Sequence, residues 1–478
     1  MKKSAKKVLA MVLVGIMSAS LMSGCSKKEE SNSNSQEGTA AESSTVNTEG
    51  KTEEVKMEKI RVWSSNAHEK ELRLQQIEDF NNSIGKEKGI EIEYTVYGSN
   101  WMDAMKVAAA AGEAPELFQP SGQFLLDFVK AGYMVPVTDL PGGDEFVAQY
   151  EGSLVKNQHI FNGKVYALPY NLTTFKFIVN DDLFKKAGIT EYPKTWDDVR
   201  EDAKIITQAG KGQEYGWILG LQSNWMISSY VTRPNAANVG HLGFNWETMK
   251  FDYSAFGPVI GAIKGMVDDK SVFPGFEGLD ADAARAQFAE GRVGMIVGAS
   301  FDTAVYNEQF PAKCNWSVIP IPSFTEAGAP YKEFVDATSL LGAGTAALDK
   351  PEKSLEVMKF FYSDENMAQM YEQSLYIPYR QEAIDLAKSQ PAQKGFAEFS
   401  NVPEKNLMLP SPDSNVTVEG DAYRETIMKF FAGGYGKEDA TTVLADLDDR
   451  YNKALGDLDP ALLKDFELSP DVLEGLKK

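Results

Sequence analysis

The residue types that most often carry catalysis are scarce in this chain. Three histidines and two cysteines serve 478 residues. His68-Glu69-Lys70-Glu71-Leu72 opens like a zinc-protease helix but lacks the second histidine one turn on. Gly298-Ala299-Ser300-Phe301-Asp302 begins like the nucleophile elbow of a serine hydrolase and fails at its last position, where Asp302 replaces glycine. Asp446-Leu447-Asp448-Asp449 lacks the glycine and distal glutamate of a calcium loop. No glycine-rich loop ends in Lys-Ser or Lys-Thr, so the phosphate cradle of an ATPase is missing. Carboxylates are plentiful, and a glycosidase pair is available by number, but no spacing singles one out. Neither a cofactor, a metal nor an enzymatic activity is expected.

One residue does stand where chemistry is expected. Lys2, Lys3, Lys6 and Lys7 form a positive leader, and residues 8–22 are a short apolar stretch, the pattern of a secretory signal over residues 1–24. It ends in Leu21-Met22-Ser23-Gly24-Cys25, which resembles the bacterial lipobox with Met22 in place of the usual leucine. That motif implies a diacylglyceryl thioether on Cys25 and cleavage before it. Two acyl chains suffice for stable anchoring at about 0.8 kcal/mol per buried methylene. Residues 25–54 hold no aromatic residue and read as a disordered tether with a reach of about 30 Å.

The chain as a whole has ordinary globular composition, 43% hydrophobic and 24% charged, and enough length for two or three folding units. A net charge of −21 repels phosphate backbones, which argues against a nucleic-acid partner. Cys314 is left without a partner, so the fold must rest on a large core.

The elements follow from periodicity. Residues 59–63 read as a strand, then Leu74, Ile77 and Phe80 recur one helical turn apart. Ile90, Ile92, Tyr94 and Val96 alternate with polar residues, a half-buried strand. An alanine-rich helix over 105–111 closes at Gly112, and a strand at 116–118 follows. This β-α-β-α-β order argues for an open α/β sheet. It restarts at a strand over 175–180, and Thr195-Trp196-Asp197-Asp198 reads as a capping box, which makes Trp196 structural. Strands are expected at 293–297 and 315–321, and mostly helices from Pro351 onward.

The order of these motifs resembles the extracellular solute-binding proteins, family 1, of ABC importers. The resemblance rests on Ile60-Arg61-Val62-Trp63-Ser64, the run from Ala109 to Phe118, Asn162-Gly163-Lys164-Val165-Tyr166-Ala167-Leu168-Pro169, Ile178 to Leu183, Pro193 to Asp198, Phe288 to Met295, and Trp316 to Pro322. Glu116 stands where aspartate is usual. The resemblance implies an α/β fold of two Rossmann-like lobes around a central cleft, the type II periplasmic-binding arrangement, with helical C-terminal additions. It places residues 55–135 with 322–363 in the N-terminal lobe and 136–321 with 364–478 in the C-terminal lobe. Hinges are expected near Val135-Pro136-Val137, Pro320-Ile321-Pro322 and Tyr362-Ser363-Asp364. The implied partners are an oligosaccharide ligand, the permease subunits of an ABC importer with their cytoplasmic ATPase, and the membrane through the lipid anchor. The expected protein is a monomer on the outer face of the cytoplasmic membrane of a Gram-positive bacterium.

The resemblance also assigns the ligand loops: Ser65, Asn66 and His68; Gln119 and Ser121; Asn224 and Trp225; Phe301 and Asp302; Glu419 and Asp421. Trp101, Asn171 and Thr173 join them as cleft candidates. A pyranose has an apolar face and a rim of hydroxyls, so aromatic rings suit the face, while amides and carboxylates suit the rim. Trp225, set among Gln222, Ser223 and Asn224, is the favoured stacking ring. Two other readings stay open: the same fold binding a peptide or a polyamine, the latter held by Asp302, Glu419 and Asp421, and a secreted glycoside hydrolase.

Overall fold

The computed structural model describes residues 56–97, 100–120 and 122–478. The leader, Cys25, the tether and Ser121 lie outside the described residues.

The first sheet has the order Ile90–Val96, Glu58–Ser64, Leu117–Phe118, Gly342–Gly344, Met134–Val135. Its first three strands are parallel, and Gly342–Gly344 runs antiparallel to both its neighbours. Alternation in Glu58–Ser64 turns Ile60 and Val62 fully inward. There they meet Ile77 and Phe80 of the helix Lys70–Asn82. The sheet's other face packs through Phe118 against Trp101, Met105 and Phe128. The expected alanine-rich helix begins earlier than read, at Trp101, and ends as read on Gly112, whose φ of 73° suits a residue without Cβ.

The second sheet has the order Trp316–Ile319, Phe175–Asn180, Val293–Ala299, Tyr215–Trp217. Phe175–Asn180 and Val293–Ala299 are buried at every position, as a strand covered on both faces must be. Phe177, Val179 and Met295 join one core with Trp196 and Trp217; Ile178, Val293 and Ile296 join another with Phe288 and Trp316. Thr195 caps the helix Trp196–Gly210 as read. Its Oγ1 accepts from the Asp198 amide at 3.2 Å, and Asp198 Oδ2 accepts from the Thr195 amide at 2.9 Å. The C-terminal helices Tyr423–Phe431 and Ala440–Leu455 close over the second core through Ile427, Phe430, Leu444 and Leu447.

Between these sheets lies a third, of order Ile377–Pro378, Asn171–Thr173, Glu333–Thr338, Lys405–Leu407. The chain leaves the first sheet through Asn171–Thr173, returns through Glu333–Thr338 into Gly342–Gly344, and departs again at Ile377–Pro378. These passages are where the chain moves between the sheets. Val137, Phe146, Tyr150, Leu168 and Tyr170 share a core with Ile60 and Val62, so the first lobe runs well past residue 135. Ile319, Ile321 and Phe324 still pack on the second core, so the second lobe runs past residue 321. Tyr362 is buried in the first core, and its hydroxyl accepts from the Leu340 amide at 3.1 Å; Met367 and Met370 join the same core. The true crossings are strands of two to six residues, mostly too short to announce themselves by periodicity.

Candidate functional site

In open α/β sheets, ligands bind beyond the carboxyl ends of the strands. In the first lobe those ends are Ser64 and Phe118, and the loops that follow them are knitted together by one side chain. Gln119 Oε1 accepts from the Ser65 amide at 3.0 Å and from Ser65 Oγ at 2.8 Å. Its Nε2 donates to Asn66 Oδ1 at 3.0 Å, and Asn66 Nδ2 donates to the Tyr376 hydroxyl at 2.8 Å. Beneath this loop Glu69 and Arg73 form a fully buried ion pair of 2.9 Å, and Arg73 also donates to the Tyr170 hydroxyl at 2.7 Å. A buried pair of this kind fixes geometry more than it adds stability.

A cavity of about 350 Å³ opens beside the loop. Ser65, Trp101 and Gln119 line one side; Asp336, Thr338 and Ser339 line the other, with Gln158 between. Gln158 Nε2 donates to the Ala337 carbonyl at 3.2 Å, which seats the first lobe on the crossing strand. Trp101 is only 6% exposed, so it is at once a core residue and a wall of the cavity.

The crossing strands supply the cavity's floor by simple alternation. Leu172, Val335 and Ala337 enter the hydrophobic core. The register pairs Thr173 with Asp336 and Asn171 with Thr338, so these four polar residues share the opposite face. Thr338 Oγ1 donates to Asn171 Oδ1 at 2.5 Å. Asn171 and Thr173 were expected near the cleft, and the structure makes them strand residues with that orientation.

In the second lobe the loop after Val293–Ala299 carries Phe301 and Asp302. The Ser300 amide donates to the Thr174 carbonyl at 3.0 Å, which sets this loop at the end of the crossing strand. Asp302 is buried, and its Oδ2 accepts from the Ala299 amide at 2.7 Å and from the Tyr230 hydroxyl. Its Oδ1 lies 2.8 Å from Arg285 Nη2. The Arg285 guanidinium stands 5.4 Å from the Trp225 ring centroid, 5.9 Å from that of Tyr230 and 5.7 Å from that of Phe301. Burial works against its charge, but Asp302 and Tyr230 outweigh burial and hold it firmly protonated. Trp225 is half-buried and Phe301 is 49% exposed, so two aromatic rings are offered to solvent around one guanidinium. Asn224 Nδ2 donates to Glu425 Oε1 at 2.9 Å and ties this loop to the C-terminal helix Tyr423–Phe431.

Three expected residues do not join either group. His68 is exposed and meets the Tyr376 ring edge-on at 5.2 Å. Glu419 pairs with Lys453 at 3.3 Å on the rim of a separate groove formed with the helix Ala440–Leu455, and Asp421 pairs with Lys429 at 2.5 Å. Asp302 is held by Arg285 and Tyr230 instead, so the three carboxylates form no cluster and the polyamine reading is not favoured. Sequence reasoning missed Gln158, Arg285, Asp336, Thr338 and Tyr376. Only Arg285 left a trace, as the single charge on the inward face of an alanine-rich helix, Ala281–Ala289.

A larger cavity of about 660 Å³ lies among Phe175, Pro193, Ile321 and Phe334, away from all these loops. Two of its carboxylates are already paired, Glu191 with Lys194 and Glu333 with Lys176. The smaller cavity, where the strand ends converge, is the better candidate.

Comparison with known proteins fits this geometry. Residues 74–368 match the family described as bacterial extracellular solute-binding protein. A putative binding protein of Brucella abortus is 29% identical over 220 residues, 45% of this chain and 51% of that protein, so the chain spans about half the length of the first curated relatives it matches. The maltodextrin-binding protein MdxE of Bacillus subtilis is 22% identical over 362 residues, 72% of this chain and 78% of that one. Among solved structures, apo RafE from Streptococcus pneumoniae superposes with a TM-score of 0.63 at 19% identity, covering 84% of this chain and 98% of that one. With two sheets, strands crossing between them and a match over more than half its length, the chain belongs to the bacterial extracellular solute-binding proteins.

Proposed function

We propose that the chain captures a carbohydrate, an oligosaccharide by preference, between its lobes and delivers it unaltered to the permease of an ABC importer. One observation carries this reading: a cavity in which the Trp101 indole stands among Ser65, Gln119, Gln158 and Thr338, ring surface beside hydroxyl and amide groups. A sugar needs that pairing, an apolar wall for its ring face and neutral hydrogen-bonding groups for its rim. Ser65, Asn66, Trp101, Gln119, Asn171 and Thr173 serve the first lobe and the crossing strands. Trp225 and Phe301 serve as stacking rings in the second lobe, with Asn224 and Asp302 holding them. Family membership and the sugar named for the MdxE relative support the same reading.

The mechanism is closure about the crossing strands. A ligand touching both lobes binds the closed form more tightly, and that difference in affinity is the whole driving force. The lipobox-like segment before Cys25 supports anchoring by two acyl chains at the outer face of the cytoplasmic membrane, and the tether lets the lobes reach a permease. Calorimetry over a panel of neutral oligosaccharides tests the ligand class. Saturable binding with the sugar recovered intact is the expected result. Binding to none of the panel, or release of smaller sugars, defeats the proposal.

A further inference from the structure

We infer that Asp336 is a specificity-determining residue that makes the cavity accept uncharged, polyhydroxylated solutes and turn away anionic ones. The inference rests on the carbohydrate reading and narrows it.

Among the described residues, the cavity's lining holds a single ionisable side chain, the Asp336 carboxylate. The other polar side chains there are neutral: the amides and hydroxyls of Ser65, Gln119, Gln158, Thr338 and Ser339, and the Trp101 indole. The backbone fixes where the carboxylate sits. Val335 and Ala337 are anchored in the core, so Asp336 between them must face the other way, beside Thr173. Its one charged neighbour is Arg233 of the second lobe, whose Nη1 lies 3.4 Å from Asp336 Oδ2. That contact is long and half-exposed, with 35% and 37% of the two side chains accessible, so it neutralises the carboxylate only in part. Among the described residues, Asp336 Oδ1 accepts no other side-chain or backbone donor. It is therefore free to accept a hydrogen bond from a ligand hydroxyl.

A carboxylate accepts hydrogen bonds and offers none. For a sugar hydroxyl it is a strong, charge-assisted acceptor. For a phosphate or uronate it is a like charge in a partly desolvated site, a repulsive element of the kind by which sites discriminate between related ligands. The second-lobe cluster does not reverse the sign. Arg285 is matched by Asp302 at 2.8 Å and by Asp282 at 3.0 Å, so it brings no net positive charge to the rings it holds.

The test uses the tightest-binding neutral sugar from a panel containing maltotriose, cellobiose, xylotriose and raffinose, with its 6-carboxylate and 6-amino derivatives. Calorimetry on the wild type should find the carboxylate at least tenfold weaker than the neutral sugar and the amine no weaker. In Asp336→Asn, which keeps the shape and loses the charge, that tenfold gap should shrink at least threefold. Equal binding of the carboxylate and neutral sugars by the wild type overturns the inference and leaves the carbohydrate reading standing, and so does an unchanged gap in a folded Asp336→Asn. Binding of none of the three forms overturns both.

Discussion

Arg285 and Asp302 form the ion pair on which the second-lobe aromatic cluster is built: Nη2 and Oδ1 are 2.8 Å apart, and the two side chains are 8% and 1% exposed. The pair joins a helix to the loop that follows the strand Val293–Ala299, and three rings gather round the guanidinium. Removing one partner leaves the other charge buried and unanswered, which typically costs about 3–5 kcal/mol. Arg285→Met should lower the free energy of unfolding by about that amount in urea titrations, with Phe301 and Trp225 losing their fixed arrangement. A loss below about 1 kcal/mol means the pair is not the support described here.

Trp225 is half-buried beside Tyr230, their rings edge-to-face with centroids 5.5 Å apart. If it stacks on the ligand, Trp225→Ala should weaken oligosaccharide binding at least tenfold, because buried aromatic anchors dominate such sites. Calorimetry on the folded variant decides. Unchanged affinity removes Trp225 from the site.

Trp101 poses a different problem, since it is both wall and core. Trp101→Ala should cost about 3–5 kcal/mol of stability through the cavity it leaves, which confounds a binding measurement. Trp101→Phe keeps most of the volume, and the expected outcome is weaker binding with a much smaller shift in the unfolding midpoint. A variant that binds normally would make Trp101 purely structural.

His159 is fully buried, and burial pushes its imidazole down to about 4. Its Nδ1 accepts from the Val155 amide at 3.0 Å, so the neutral ring is the form the fold accommodates. An unfolded histidine titrates near 6.5. The unfolded chain therefore binds the proton first, and stability falls as pH drops from about 6.5 toward about 4, by up to about 3 kcal/mol. His159→Gln should lose that part of the pH dependence. The check is urea unfolding of both proteins at pH 7 and pH 4.5: the gap between them should narrow or invert at the lower pH. A gap independent of pH argues against the assignment.

The cap on the helix Trp196–Gly210 gives a simpler expectation. Thr195→Ala removes the acceptor for the Asp198 amide, and about 1 kcal/mol of stability should go with it. Thermal unfolding measures it, and an unchanged midpoint would show that the helix end is held from elsewhere.

Local physics made much of this protein legible. The alternation of Ile90, Ile92 and Tyr94 and the spacing of Thr195 and Asp198 each specify an element within a few residues, because the partners are neighbours in the chain. Residues 171–173 carried no such signal, and neither did the placing of Asp336: a three-residue strand has no period, and its facing is fixed only when Val335 and Leu172 reach a shared core. Arg285 has Asp282 one turn away to pair with at 3.0 Å, but its place under the rings also needs Asp302, seventeen positions later, to fold back to within 2.8 Å. Glu419 and Asp421 looked available until their lysine partners closed on them. The order of amino acids decided which segments become strands and helices, because those choices are settled over a few residues. Which side chains share a cavity was decided by packing between segments hundreds of residues apart, and which charges are already answered by contacts that the linear order does not announce.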